Sequence, residues 1–166
     1  MTPAFPPLEH YSFAPVGRIE DRDQWDHFMK PLGFWVSVPG RDDWPAFCRD
    51  LGFHHRLLLR YQVQLVPTAN ILWLQSPSDI EGFTAQYGID FQGIGSIEWG
   101  RVAQDYDGIL IAPFQWRRLY HLPEMSWYYS WDCASGCIWS ASAVASIELL
   151  PPVVFLEPVE GEAHAN

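Results

Sequence analysis

The thirteen residues Trp127-Tyr-Tyr-Ser-Trp-Asp-Cys-Ala-Ser-Gly-Cys-Ile-Trp139 are the stretch on which the fold turns. Five of them are aromatic, and Asp132 is the one carboxylate among them. Aromatic residues are ordinary strand formers, so Trp127–Trp131 and Gly136–Trp139 read as two packed strands. On that reading Ser135-Gly136 is the turn between them and Asp132 caps it. The same residues support a functional reading. A lone acid among large rings has a poorly solvated charged form, which raises its pKa unless hydrogen bonds compensate. Aromatic walls around one polar group also suit a flat, partly cationic ligand.

Outward from this stretch, the other apolar runs have the character of strands. Leu8–Phe13 is one, and Tyr61, Val63 and Leu65 alternate with Gln62 and Gln64 as in a strand with one wet face. Gly33–Val38, Ile71–Leu74 and Gly108–Ala112 are near-continuous apolar runs, the mark of buried central strands. Ile147–Phe155, interrupted by Pro151-Pro152, completes the set.

Helical spacing appears in three places. Trp44, Phe47, Cys48 and Leu51 form one stripe, with Asp43 placed to cap it, Pro45 in the first turn and Gly52 as a stop. A capping box from Ser78 to Glu81 predicts a second helix through Ile80, Phe83, Thr84 and Tyr87 to Gly88. A third starts near Ser96 and stacks Trp99, Val102, Ala103 and Tyr106, with Asp107-Gly108 turning the chain. Trp25, Phe28 and Met29 allow a shorter one. Helices scattered among seven or eight strands without strict alternation predict an α+β fold with a mixed or split sheet.

The chain has 166 residues, 48 % of them hydrophobic and 18 % charged, which predicts one globular domain over residues 1–156. Residues 157–166 read as an acidic, flexible tail. The net charge is −10, and the basic side chains are nine arginines and a single lysine, Lys30. Such a surface repels phosphate backbones and disfavours nucleic acid, whereas a basic partner is easily accommodated. The first ten residues lack a basic n-region and an apolar h-region, and no apolar run approaches the roughly 20 residues that span a bilayer. With three cysteines, too few and too odd in number for a disulfide framework, a reducing cytoplasm and no membrane association are expected.

Metal and hydrolase signals are weak. Cys133 and Cys137 have C-x3-C spacing and His121 lies upstream, but no second close pair completes four ligands, so no metal is expected. His54 and His55 are adjacent and would point to opposite faces of a strand. Ser135 lacks the first glycine of a nucleophile elbow, and Gly93-Ile-Gly95 reads as a turn rather than a dinucleotide fingerprint.

One ordered set stands out: Glu9-His-Tyr-Ser12, Lys30-Pro-Leu-Gly-Phe-Trp-Val-Ser37, Trp44, Tyr106-Asp-Gly-Ile-Leu-Ile111 and the Asp132 region. In these blocks the chain resembles the ADP-ribosyltransferase-like superfamily, and looks closest to small bacterial and phage proteins sharing the Gly-x-Trp-Val-Ser and Trp-Asp-Cys-Ala-Ser-Gly-Cys-Ile-Trp blocks. The resemblance covers roughly residues 8 to 140. It implies a split mixed or antiparallel sheet with short flanking helices, and NAD as a substrate cleaved at its nicotinamide–ribose bond.

Residue by residue, it implies that His10 hydrogen-bonds the nicotinamide-side ribose and that Ser37 supports the same ribose. Trp35 and Tyr11 become the candidate rings for stacking on nicotinamide, with Trp44 opening the next helix beside them. Asp132 stands where the family has a glutamate, one methylene longer, and Glu98 is the reserve acid, placed to cap a helix. A carboxylate on the ribose hydroxyl would stabilise an oxocarbenium-like state, more strongly where water is excluded. The acceptor is open. The missing glutamate and the acidic surface imply an alternative on the same fold: an inactive binding or inhibitor protein docking onto a basic target. If such a protein were phage-encoded, it would act in the host cytoplasm.

Overall fold

The computed structural model describes residues 5–26, 29–116 and 123–152. Nine strands and four short helices are present among them. The strands are β1 (Leu8–Ser12), β2 (Phe34–Ser37), β3 (Leu59–Leu65), β4 (Ile71–Leu74), β5 (Gly88–Phe91), β6 (Ile94–Ile97), β7 (Gly108–Ile111), β8 (Ser135–Ile138) and β9 (Val144–Leu150). The helices are α1 (Trp44–Asp50), α2 (Pro77–Tyr87), α3 (Trp99–Asp105) and α4 (Ser126–Tyr129). Among the described residues no helix is long and apolar enough to cross a membrane.

The fold is α+β around one mixed sheet of seven strands in the order β4-β7-β8-β2-β1-β3-β9. β4 and β7 are parallel and every other neighbouring pair is antiparallel. β5 and β6 form a separate hairpin. The sheet is thus continuous and mixed rather than split, although β1 meets β2 only where Glu9 faces Ser37. Beyond that point Gly33, at φ 157°, lies too close to the Ile138 carbonyl and Cys137 for any side chain, and β2 stays with β8 while β1 follows β3.

Local chemistry sets the helices. Asp43 caps α1, accepting from the Ala46 amide at 2.9 Å, with Pro45 in the first turn. The capping box of α2 is two residues earlier than Ser78–Glu81: Ser76 and Asp79 exchange hydrogen bonds and Pro77 is the first helical residue. A proline cannot donate an amide proton, so it fits where helical N–H groups have no partner anyway. α3 starts at Trp99, because Ser96 belongs to β6. Trp25 lies in irregular chain, and Phe28 lies outside the described residues.

The aromatic stretch departs from its strand reading. Trp127–Trp131 is the short helix α4 and the bend after it, with Trp127 and Tyr128 fully buried and Trp131 nearly so. Two adjacent buried rings followed by the exposed Tyr129 break the two-fold alternation that a half-exposed strand would need. Trp127 packs edge-on to Phe83 and Trp99, and its indole donates to Thr84 Oγ1 at 2.9 Å. Ser135-Gly136 is no turn but the start of β8. One buried cluster unites Leu74, Ile109, Leu110 and Ile111 of the sheet with Ile80 and Phe83 of α2, Trp99 of α3 and Trp127 of α4. The last strand begins earlier than Ile147 and ends before Pro151-Pro152. Val153–Phe155, the acidic tail and His121 lie outside the described residues.

Candidate functional site

A cavity of about 480 Å³ opens over the thin β1–β2 junction. It is lined by residues of β1, Trp35, Val36 and Ser37 of β2, Trp44 of α1, Lys30, Arg56, and Asp132, Cys133 and Ser135 at the start of β8. Tyr11, Trp35, Ser37, Trp44 and Asp132 thus share one cleft, although they come from four separate parts of the chain, while His10 borders it with its ring turned to the other face of the sheet, away from Ser37. Glu98 is elsewhere. It sits at the cap position of α3 without a side-chain cap bond, and its carboxylate pairs with Arg101 at 3.1 Å. A second cavity, about 510 Å³, lies beside α2 and the β5–β6 hairpin. Its ionisable lining is Glu81, Asp90 and Glu124, and it offers neither a cation nor an aromatic ring.

Strand alternation sorts the cleft residues. Glu9 and Tyr11 share a face with Ser37, while His10 lies on the opposite side and stacks on Phe34 at 4.3 Å. Its Nδ1 is 2.7 Å from the Trp35 carbonyl oxygen. A carbonyl only accepts, so Nδ1 carries the proton, and in the neutral ring Nε2 is the acceptor. Burial lowers the His10 pKa, and the bond to Trp35 only partly opposes this. The ring bridges β1 and β2 where their backbone pairing has ended.

Ser37 Oγ accepts from the Trp44 amide at 3.0 Å, which ties the end of β2 to the start of α1. The same corner is closed by Val38 donating to the Ala134 carbonyl and Ala134 donating to that of Asp42. Trp44 stacks on Phe47. Trp35 leans on Trp131 at 5.0 Å between ring centres.

Asp132 is not a lone acid. Lys30 Nζ donates to its Oδ2 at 2.8 Å and lies 5.5 Å from the centre of the Trp35 ring. Both side chains are a little over one-third exposed, so the pair sits at the cleft mouth, half in water.

The buried acid of the cleft is Glu9, which the sequence pattern did not single out. Arg60 clamps it with two hydrogen bonds, Nε to Oε2 at 3.0 Å and Nη2 to Oε1 at 2.5 Å, and the Tyr11 hydroxyl donates to Oε2 as well. Burial alone would raise its pKa, but the bonds from Arg60 and Tyr11 and the guanidinium charge outweigh this, and the net shift is downward. Tyr11 is pushed well above the usual phenol range by burial and by that carboxylate. The available sequence signal was an acid alternating with Tyr11 on a strand and an arginine opening the alternating run that became β3.

All three cysteines are buried free thiols. Burial pushes Cys133 up to about 12 and Cys48 up to about 11, so neither supplies a thiolate nucleophile near neutral pH. Ser135 Oγ donates to the Cys133 carbonyl rather than to a base. His54 and His55 lie in a 3-10 turn, His54–Leu57, not a strand, and no cluster of three or more metal-ligating side chains occurs among the described residues.

Comparison with family models, curated proteins and solved structures gave no match.

Proposed function

We propose that the chain is an ADP-ribosyltransferase-like protein whose cleft takes NAD, and that it binds this ligand without turning it over. The shared cleft supports the first half: residues from β1, β2, α1 and the Asp132 loop line a cavity of about 480 Å³, within the range of small-molecule sites. Trp35 and Trp44 offer faces for a ring, and Arg56 and Lys30 offset the acidity of the chain. The observation that carries the second half is that Glu9, the buried carboxylate of the cleft, is already held by the Arg60 guanidinium through two hydrogen bonds. A carboxylate neutralised in this way gives little to an oxocarbenium-like state, because its field is largely cancelled at the reacting carbon.

Catalysis is the second reading, and the solvation of the Lys30–Asp132 pair favours it. Exposed ion pairs are worth roughly 0–1 kcal/mol, so a substrate could part this one and leave Asp132 to face the ribose.

Titration calorimetry with NAD, run beside a nicotinamide-release assay, separates the two. Binding without release supports the proposal. Release that falls roughly 10²–10³-fold in Asp132→Asn, with folding intact, makes the chain an enzyme and Asp132 its acid. Failure of NAD to bind removes NAD altogether and leaves the acidic surface, at net charge −10, as a docking face for a basic target.

A further inference from the structure

Lys30 is the single lysine of the chain, and its ammonium occupies a position that suits a foreign cation. It touches the Asp132 carboxylate at 2.8 Å and stands 5.5 Å from the centre of the Trp35 ring. A carboxylate beside an indole face is the combination that recognises ammonium, pyridinium and similar groups, the charge being satisfied by the acid and the π-face by the ring. Trp35 is held in place by Trp131 behind it, and Asp132 by the short connection into β8. The recognising parts are therefore anchored on the fold, while their present occupant is the tip of a long, rotatable side chain.

We infer that the cleft contains a subsite for an aromatic cation, formed by Trp35 and Asp132, and that Lys30 is its built-in place-holder. The inference rests on the cleft being a ligand site and names the chemistry it selects: a flat ring bearing positive charge, such as an N-alkylated pyridinium, in preference to the same ring uncharged. An incoming cation displaces the Lys30 ammonium into water and takes over its charge attraction to Asp132 and its place on the Trp35 face, though not its hydrogen bond. The displacement is inexpensive because the pair is more than one-third exposed on both sides. Lys30 thereby sets a threshold. A neutral ring cannot replace its charge on Asp132, whereas a cationic ring can. Apparent affinity is reduced by the fraction of molecules in which the subsite is already filled.

The test uses two probes that share one ring, the 1-methylnicotinamide cation and neutral nicotinamide, each titrated by tryptophan fluorescence and calorimetry into the full chain. Lys30→Gln and Asp132→Asn are measured beside it, and thermal melts confirm that all three fold. The expected result is a preference for the cation that rises about fivefold in Lys30→Gln, the scale of removing an exposed ion-pair competitor, and disappears in Asp132→Asn. The preference should also shrink as salt is added. An equal ratio of affinities in all three proteins overturns the inference, as does absence of binding by both probes to Lys30→Gln. NAD is titrated in parallel. Cation preference without NAD binding removes NAD but keeps the subsite; NAD binding with an unchanged ratio removes the subsite but keeps NAD.

Discussion

Arg60 lies one step diagonally from Glu9 across the β1–β3 ladder, directly opposite Tyr11, and it holds both oxygens of the Glu9 carboxylate. The pair is the electrostatic floor of the cleft. Glu9 also faces Ser37 on β2, so one acid sits where three strands of the sheet meet. Without Arg60 its charge would be costly at this depth; without Glu9 the guanidinium would lose a bidentate partner in a place only one-third open to water.

Glu9→Gln should therefore destabilise the fold by about 2–4 kcal/mol, below the cost of breaking a fully buried pair because Arg60 is partly solvated. The pH dependence follows the sign of the shift. The Glu9 pKa is lowered on folding, so its stabilisation is complete above the unfolded value, about 4.3, and is lost as pH falls through the lower folded value. Urea unfolding from pH 7 to pH 3 should show this loss in the native chain and a flatter profile in Glu9→Gln. Equal slopes would mean that the pair contributes nothing to folding.

His10 acts over a different window. Its pKa is lowered by burial, so the unfolded chain takes up the proton first. The stabilisation from neutral His10 is complete above about pH 6.5 and is lost as pH drops through the folded value. In an NMR titration, His10 should titrate at lower pH than a histidine with the unperturbed value. His10→Asn can keep a donor for the Trp35 carbonyl, and it should retain stability at pH 7 while losing this limb of the pH profile.

The thiols give a test that needs no ligand. Cys48, Cys133 and Cys137 are buried and protonated, so iodoacetamide at pH 8 should leave the native chain essentially unlabelled. In denaturant without reductant all three should react. Recovery of a single reactive thiol would reveal a Cys133–Cys137 disulfide.

Which features were legible in the sequence depends on how many sides of a segment face water. α1 was legible because its apolar stripe alternates with solvated residues and Asp43 announces its start. β3 was legible because Gln62 and Gln64 remain exposed between buried or half-buried neighbours. α4 was not, since Trp127 and Tyr128 are enclosed on all sides and carry no period. The β5–β6 hairpin escaped because its turn is Gln92-Gly93, with φ of 56° and 85°, where Asn-Gly would have been the stronger signal. The cleft was half legible. Its rings and Asp132 stand in ordered blocks, but the partners of both acids are distant: Arg60 is 51 residues from Glu9, and Lys30 is 102 from Asp132. Pairing across such separations is decided by strand order, which local patterns do not encode.

Strand order can itself be tested at Gly136. This residue lies in β8 opposite Val36 on one side and Leu110 on the other, in the sheet's buried half. A Cβ placed there would come within 2.3 Å of both the Ile109 carbonyl oxygen and a Leu110 methyl carbon. The methyl could rotate away, but the carbonyl belongs to the neighbouring strand and is held by the ladder, so β7 and β8 would have to part. Gly136→Ala should cost about 3 kcal/mol, the upper part of the range for overpacking a tight core. In a chain of this size that lowers the melting temperature by about 6–12 °C. Gly40→Ala is the comparison, because a Cβ at Gly40 meets nothing within 4 Å, and its effect should stay within about 0.5 kcal/mol. Since β8 also carries Ser135 into the cleft, ligand binding should weaken together with stability in Gly136→Ala. If both alanine variants melt alike, β8 does not run between β2 and β7, and the cleft loses the strand that places Asp132 opposite Lys30.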